Sequence, residues 1–308
     1  MSIDAYIAIG IDIERKKMSK LIVLVGIPGS GKSTYGKELL QKHNNAVYLS
    51  SDMVRKELYG DSAIVGDKNK VFRILHQRKK VALSEGKTII FDATNLTRKS
   101  RRNVFSDANN SVVKEIHIVW APIDVCLRRD EKRQRTVGYH DIMRLASGFQ
   151  APWYDEGVHT IKLIVNYEHS YHEYVTKCIN QMQIPHDNPH HQHDIFNHCI
   201  AAYQHGVKMD YLESVLDAAM FHDIGKPITK TYKRDEESGK VIAHYYQHDN
   251  IGGWMSYGLF TDAAKAIEVA WLIGNHMQPY FQSHYYKDMT HQWKLLLEQL
   301  HDCDEMAH

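Results

Sequence analysis

Two groups of residues in this chain have types and spacings that could do chemistry, and the two chemistries run in opposite senses. Gly26, Gly31, Lys32 and Ser33 fit G-x-x-x-x-G-K-[ST] within LIVLVGIPGSGKST, Leu21 to Thr34. Backbone N–H groups must close on phosphate oxygens there, and Gly26, Gly29 and Gly31 remove the Cβ atoms that would obstruct them. A helix starting near Lys32 turns its positive end toward the phosphates. Gly29, Ser30, Gly31, Lys32, Ser33 and Thr34 are therefore candidate nucleotide-binding residues. Lys32 neutralises β/γ charge, and Ser33 or Thr34 offers a hydroxyl to Mg²⁺. Far downstream, FHDIGKP (Phe221 to Pro227) reads as a metal-binding His-Asp doublet. The first chemistry installs phosphate, and the second usually removes it.

Alternating elements must position the first group. LIVLVG (Leu21 to Gly26), AVYLS (Ala46 to Ser50), TIIFDAT (Thr88 to Thr94) and SVVKEIHIVWA (Ser111 to Ala121) read as four strands. Helical stretches separate them: Ser33 to Lys42, and Asn69 to Glu85, which ends at Gly86. This alternation predicts a parallel α/β sheet with right-handed crossovers. From Ser170 the strand signal fades. Tyr171 to Met182 reads as helix, Gln183 to Gln192 as a linker or turn, and most of the remainder as helix. Lys230 to Ala243 interrupts that remainder as a polar hairpin or loop.

The 308 residues suit two domains, and 43% hydrophobic residues are enough for two cores. A net charge of +1 sets up no global field for nucleic acid, so any such site must be a local patch. Arg98 to Arg102 and Arg128 to Arg135 are the candidates, with a solvated helix face as the plainer reading of each. Cys126, Cys178, Cys199 and Cys303 are scattered, which fits reduced thiols in a cytoplasmic protein. No apolar run reaches the length of a membrane span, so no membrane partner is expected. Residues 1–17 end in ERKK and are expected to be a disordered lead-in. Fourteen of the 21 histidines fall between His186 and His308, which argues for a domain boundary and for metal chemistry beyond it.

The first half resembles the 5′-hydroxyl polynucleotide kinases of phage and bacterial RNA repair, over about residues 20–165. The resemblance rests on the phosphate loop, SDMVR (Ser51 to Arg55), DATNL (Asp92 to Leu96) and RRDEKRQRTV (Arg128 to Val137). It implies that Asp52 is the general base accepting the 5′-OH proton, with a simple N-cap as the alternative role. It implies that Arg55 holds the acceptor's neighbouring phosphate and that Arg133 is the lid arginine, with Arg128, Arg129 and Arg135 as rivals. Asp92 either supports the acceptor or acts as a Walker-B-type group near Mg²⁺. The implied donor is ATP or another NTP.

The second half resembles the HD phosphohydrolase superfamily, over about residues 186–308. His-Asp doublets recur at His186, His193, His222, His248 and His301, and context selects His222-Asp223, which follows an amphipathic helix and precedes Ile224-Gly225-Lys226. The resemblance implies a metal set of His198, His222, Asp223 and Asp304, with Asp302 competing for the last place. His248 and His276 would extend it to two metals bridged by Asp223. Such a set suits one or two transition-metal, Mg or Mn ions that activate water and clamp phosphoryl oxygens. Lys226 would stabilise phosphate charge.

Together these readings predict an α/β P-loop NTPase domain with a parallel sheet (18–182), a linker (183–189) and an all-α HD domain (190–308). They imply a bifunctional enzyme that phosphorylates 5′-OH ends and removes a 2′,3′-cyclic, 2′- or 3′-phosphate. Its partners would be RNA or DNA ends and a separate RNA ligase, and the sequence does not fix an oligomeric state. The rival is a nucleotide-metabolism enzyme pairing a small nucleoside kinase with an HD nucleotidase. A second rival is an ATP-gated nucleic-acid sensor without turnover.

Overall fold

β1 (Lys20–Val25) is the middle strand of the fold because both its faces are covered: from Leu21 onward every residue is at most 1% exposed. In the computed structural model, which describes residues 19–133, 136–168, 170–187, 194–234 and 239–307, β1 pairs with β3 (Thr88–Asp92) on one side and β4 (Val113–Trp120) on the other. β2 (Ala46–Ser50) and β5 (Thr160–Val165) complete a five-stranded sheet in the order β2-β3-β1-β4-β5. Every pairing is parallel. The four expected strands are present, and β5 is an addition. Its sequence, TIKLIV, buries only Ile161, so this edge strand lacks the buried apolar run of β1.

Helices cover both faces. α1 (Lys32–Lys42) lies over Ile22, Leu24 and Ile90, with Leu39 in the same small cluster. The opposite face, with Leu21, Val23, Val25, Ile89 and Phe91, joins the main core. α2 (Ser51–Tyr59) leaves β2 directly, and α3 (Lys68–Ser84) leads to β3. α4 (Arg98–Phe105) follows β3, while α5 (Ile123–Glu131) and α6 (Tyr139–Ser147) lie between β4 and a short 3₁₀ turn at Tyr154–Glu156.

α7 (Tyr171–Met182) leads into a helical C-terminal region. Its members are α8 (Ile195–Lys208), α9 (Glu213–Phe221), α10 (Lys226–Thr229), α11 (His248–Ser256), α12 (Ala263–Ile273), α13 (Gln278–Phe281), α14 (His284–Lys287) and α15 (His291–Glu305). One antiparallel pair, β6 (Thr231–Arg234) and β7 (Val241–His244), stands between α10 and α11, where the sequence suggested a hairpin. Of the expected lead-in and linker, residues 1–18 and 188–193 lie outside the described residues. His186, within the described part of the linker, is 1% exposed.

The two halves share one hydrophobic core. Trp120 Nε1 donates to the Trp254 carbonyl (2.7 Å), and Trp254 Nε1 donates back to the Ala121 carbonyl (3.2 Å). Tyr174 donates to the Met255 carbonyl (2.8 Å) and Asn250 to the Ser147 carbonyl (2.8 Å). Fully buried indoles with satisfied N–H groups are worth about 3–5 kcal/mol each against truncation, so the seam stabilises both halves.

The arginine-rich stretch of α4 does not form one basic patch. Arg101 is fully buried, and its guanidinium donates to both carboxylate oxygens of Glu156 at 2.8 and 2.6 Å. Arg98 is also buried, whereas Lys99 and Arg102 are exposed. Helical periodicity separates these neighbours, so part of the charge run is structural.

Candidate functional site

The phosphate loop joins β1 to α1. Gly31 is the N-cap of α1 at φ 97°, and no side chain caps that end. The first N–H groups of the helix are left for an anion. A Cβ on Gly31 would stand 1.7 Å from Asn166 Nδ2, so the position needs glycine for space as well as for its dihedral. Lys32 is 9% exposed and donates to the Ile27 carbonyl at 3.0 Å. Burial lowers its ammonium pKa, against the pull of Asp92.

Sheet register brings the other groups to the same edge. Asp92, the last residue of β3, lies opposite Leu24 of β1 and Ser50 of β2. Its Oδ2 accepts from Ser33 Oγ at 2.8 Å and also from the Tyr48 hydroxyl. The Asp92 carboxylate is thus bonded directly to the loop serine. Asp52 lies two residues past β2. Ser50 caps α2 by accepting from Asp52 N, so the Asp52 carboxylate does not serve as the cap. That carboxylate is 60% exposed and accepts from Arg55 Nη1 at 2.6 Å.

The candidate lid arginines have different surroundings. Arg133 is 48% exposed, 4.0 Å from Asp130, and its charge is felt by Lys32. Arg129 instead donates to the carbonyls of Gly29 (3.4 Å) and Asn166 (3.0 Å), and Asn166 Nδ2 donates to the Ser30 carbonyl (2.9 Å). These two residues clip the loop to the end of β5. Sequence reasoning missed Asn166 because it missed β5. Arg128 pairs with Asp124 at 3.0 Å, and Arg135 lies outside the described residues.

The second cluster draws its side chains from separate elements, all buried except Asp304, whose side chain is 14% exposed. His198 comes from α8, His222 from the C-cap of α9, and Asp223 from the turn before α10. His248 opens α11, His276 follows α12, and Asp304 lies in the last turn of α15. His198, His222 and Asp223 converge as one three-ligand group, and Asp223, His248 and His276 as another. Asp304 Oδ1 lies 2.9 Å from His198 Nε2 and 3.2 Å from His222 Nε2. Asp223 Oδ1 reaches His248 (3.4 Å), while its Oδ2 faces His222 (3.5 Å), His198 (3.8 Å) and Lys226 Nζ (2.6 Å).

Backbone carbonyls fix the imidazoles. His222 Nδ1 bonds the Ala219 carbonyl (2.8 Å), His248 Nδ1 that of Tyr245 (2.8 Å), and His276 Nδ1 that of Ile273 (2.7 Å). A carbonyl only accepts, so each Nδ1 carries a proton; burial keeps His248 and His276 neutral, with an Nε2 lone pair turned into the cluster, whereas on His222 burial is overcome by Cys199, Asp223 and Asp304, which raise its pKa well above the ordinary value. His248 Nε2 and His276 Nε2 then face each other at 3.1 Å, and His222 Nε2 faces His198 Nε2 at 3.2 Å. The opposed lone pairs of His248 and His276 repel unless a cation lies between them. Burial, with His276 beside it, pushes His248 down to about 3, so a proton is a poor candidate for that cation. Asp223 and Asp304 are held well below the usual carboxylate range. Burial opposes this, and Lys226 and His222 respectively lead the opposite-charge partners that overcome it. The donor set of imidazoles and carboxylates fits a divalent ion.

The competitor Asp302 faces elsewhere, bonding His205 (2.7 Å) and Tyr211 (2.9 Å). Tyr280, not foreseen, donates to Asp304 Oδ2 (3.1 Å). Gly225 permits the close approach of the Asp223 turn to α11: a Cβ there would stand 2.1 Å from the His248 carbonyl oxygen.

Residues 21–152 match a family described as an AAA domain. Solved structures with related folds include a chain of the Pnkp1/Rnl/Hen1 complex, 24% identical, with a TM-score of 0.34, covering 41% of this chain and 44% of that one. A gluconokinase from Sinorhizobium meliloti is 16% identical, with a TM-score of 0.36 and coverage of 49% and 85%. Kti12 from Chaetomium thermophilum, in complex with ADP-AlF3, is 17% identical, with a TM-score of 0.39 and coverage of 49% and 91%. The chain thus spans less than half of the chain it matches in the RNA repair complex. Its N-terminal half is a P-loop kinase-like domain with a parallel sheet, followed by a helical region. That fold implies use of a nucleotide and Mg²⁺. Among the described residues, no helix is long and apolar enough to cross a membrane.

Proposed function

We propose that this chain is a bifunctional enzyme of broken RNA ends, a polynucleotide 5′-hydroxyl kinase in its α/β half and a metal-dependent phosphohydrolase in its helical half. The observation that carries the reading is the opposed His248–His276 Nε2 contact at 3.1 Å, beside Asp223 and the convergent His198, His222 and Asp304. This arrangement makes sense around a cation.

In the kinase half, Asp52 takes the proton of the acceptor hydroxyl as its oxygen bonds to the γ-phosphorus and the bond to the ADP oxygen breaks. Arg55 orients that carboxylate from 2.6 Å and holds the neighbouring phosphate of the acceptor. Lys32 and Arg133 carry the charge of the transferring group. Ser33, through its hydroxyl, and Asp92, which accepts from it, would hold Mg²⁺.

In the helical half, His198, His222, Asp223 and Asp304 would hold one metal, and Asp223, His248 and His276 would hold a second. Metal bound there would supply positive charge against phosphoryl oxygens and acidify a water. Lys226, 2.6 Å from Asp223, adds a fixed cation at the rim. The carbonyl-bonded Nδ1 atoms keep the rings aimed inward. The products are a 5′-phosphate and a 3′-OH, the ends a separate ligase joins. The setting is cytoplasmic, in keeping with four free, buried cysteines.

The test is a short RNA with a 5′-OH and a 2′,3′-cyclic phosphate, incubated with ATP, Mg²⁺ and Mn²⁺, with both product ends resolved. Conversion of both ends is expected. An untouched RNA beside a mononucleotide control that turns over would move the function to nucleotide metabolism.

A further inference from the structure

A cleft of about 740 Å³ lies at the seam between the halves, and neither site uses it. Its size falls within the range of small-molecule sites, roughly 300–1,000 Å³. One wall is α4, with Arg98 and Arg102, and the other is aromatic: Trp153, Trp271, Tyr285 and Trp293. The three indoles hold one another rigidly. Trp153 stacks on Trp271 with centroids 5.1 Å apart and meets Trp293 edge-on at 4.8 Å. The Arg98 guanidinium lies over the Tyr285 ring, 3.2 Å from its centroid.

Four buried polar groups lining the cleft make no hydrogen bond among the described residues: Arg98 Nε, Trp153 Nε1, Trp271 Nε1 and the Tyr285 hydroxyl. The Asp155 carboxylate stands 4.0 Å from Arg98 Nε, too far to satisfy it. Buried donors left unsatisfied are costly, and packing alone gives no reason to keep several of them beside a cleft. Outside them, Lys99 and the 51%-exposed Arg102, which pairs with Asp155 at 3.5 Å, lie on the rim, and with Arg98 the cleft has three cations against the carboxylates of Asp155 and Asp288. Rigid aromatic surface, unsatisfied inward donors and rim cations together fit a flat, acceptor-rich group carrying negative charge.

We propose that this cleft binds a nucleotide, with its base against Tyr285 and Trp293, its acceptor atoms toward Arg98 and Trp153, and its phosphate at Arg102 and Lys99. The site is separate from the phosphate loop and from the His-Asp cluster, and it stands whether or not those have the activities proposed above. The same chemistry is offered by a free mononucleotide and by one nucleotide of a strand.

Calorimetric titration of the full chain, with the phosphate loop saturated by a non-hydrolysable ATP analogue, tests this. The probes are AMP and a 5′-phosphorylated hexaribonucleotide. The variants are Arg102→Glu, which is exposed, and Trp293→Ala, each checked by thermal melting. At least one probe is expected to bind, with affinity falling about tenfold or more in both variants, since base stacking and rim charge are each worth that much. AMP binding identifies a free nucleotide, and binding of the hexamer alone identifies a strand. Failure of both probes to bind, or wild-type affinity in a folded Arg102→Glu protein, overturns the proposal.

Discussion

The two candidate sites are built in opposite ways. The phosphate-loop site is a backbone device at the open edge of a sheet, with working side chains near the surface: Asp52 is 60% and Arg133 48% exposed. The His-Asp site is a side-chain device inside a helical region, where His198, His222 and Asp223 are each 1% exposed. An open site can admit the end of a polymer and exchange nucleotide. A buried one holds its donors in fixed register and strengthens every charge within it. The contrast teaches that the first site tolerates changes around it provided the loop keeps its shape, whereas the second depends on how five helices pack.

The comparison breaks most sharply under crosswise substitution. Lys32→Ala is expected to lower 5′-phosphorylation by about 100-fold or more and leave phosphate removal intact, while Asp223→Ala does the reverse. Assays of both ends on both variants check this, and loss of both activities in one folded variant would refute separate sites. Next in size is a change that should spare neither half. Arg101→Ala leaves Glu156 charged and buried, at a cost of about 3–5 kcal/mol. Denaturant unfolding should show that loss, and an effect confined to RNA binding would return Arg101 to the role of a nucleic-acid contact.

Metal addition sharpens the contrast from the other side. Mn²⁺ at about 100 times its dissociation constant should stabilise the protein by about 2.7 kcal/mol, seen as a higher melting temperature that Asp223→Ala abolishes and Lys32→Ala retains. The smallest expected effect separates two neighbours on α15. Asp304→Asn should weaken Mn²⁺ binding by about tenfold or more, and Asp302→Asn should not, since it faces His205 and Tyr211. Equal effects in a titration would place both outside the metal set.

Legibility in the sequence follows the same division. Glycine spacing and a continuous apolar strand are local signals, so the phosphate loop and four strands could be read directly. β5 could not, because this edge strand buries only one residue, and with it went Asn166, the residue that clips the loop. The arginine run of α4 misled for a related reason: adjacent letters point to different sides of a helix, and only packing decides that Arg101 goes inward. In the helical half the doublet at His222 was readable by context. The facing of the Nε2 atoms, the carbonyl anchors and the Tyr280 contact depend on contacts between distant helices, which spacing does not encode.

The central claim is that the His-Asp cluster is a metal centre. The most direct test is a Mn²⁺ titration of metal-stripped protein, following free Mn²⁺ by electron paramagnetic resonance. The account predicts uptake of one to two ions per wild-type chain and loss of that uptake in Asp223→Ala. No uptake, or equal uptake by both proteins, would contradict it.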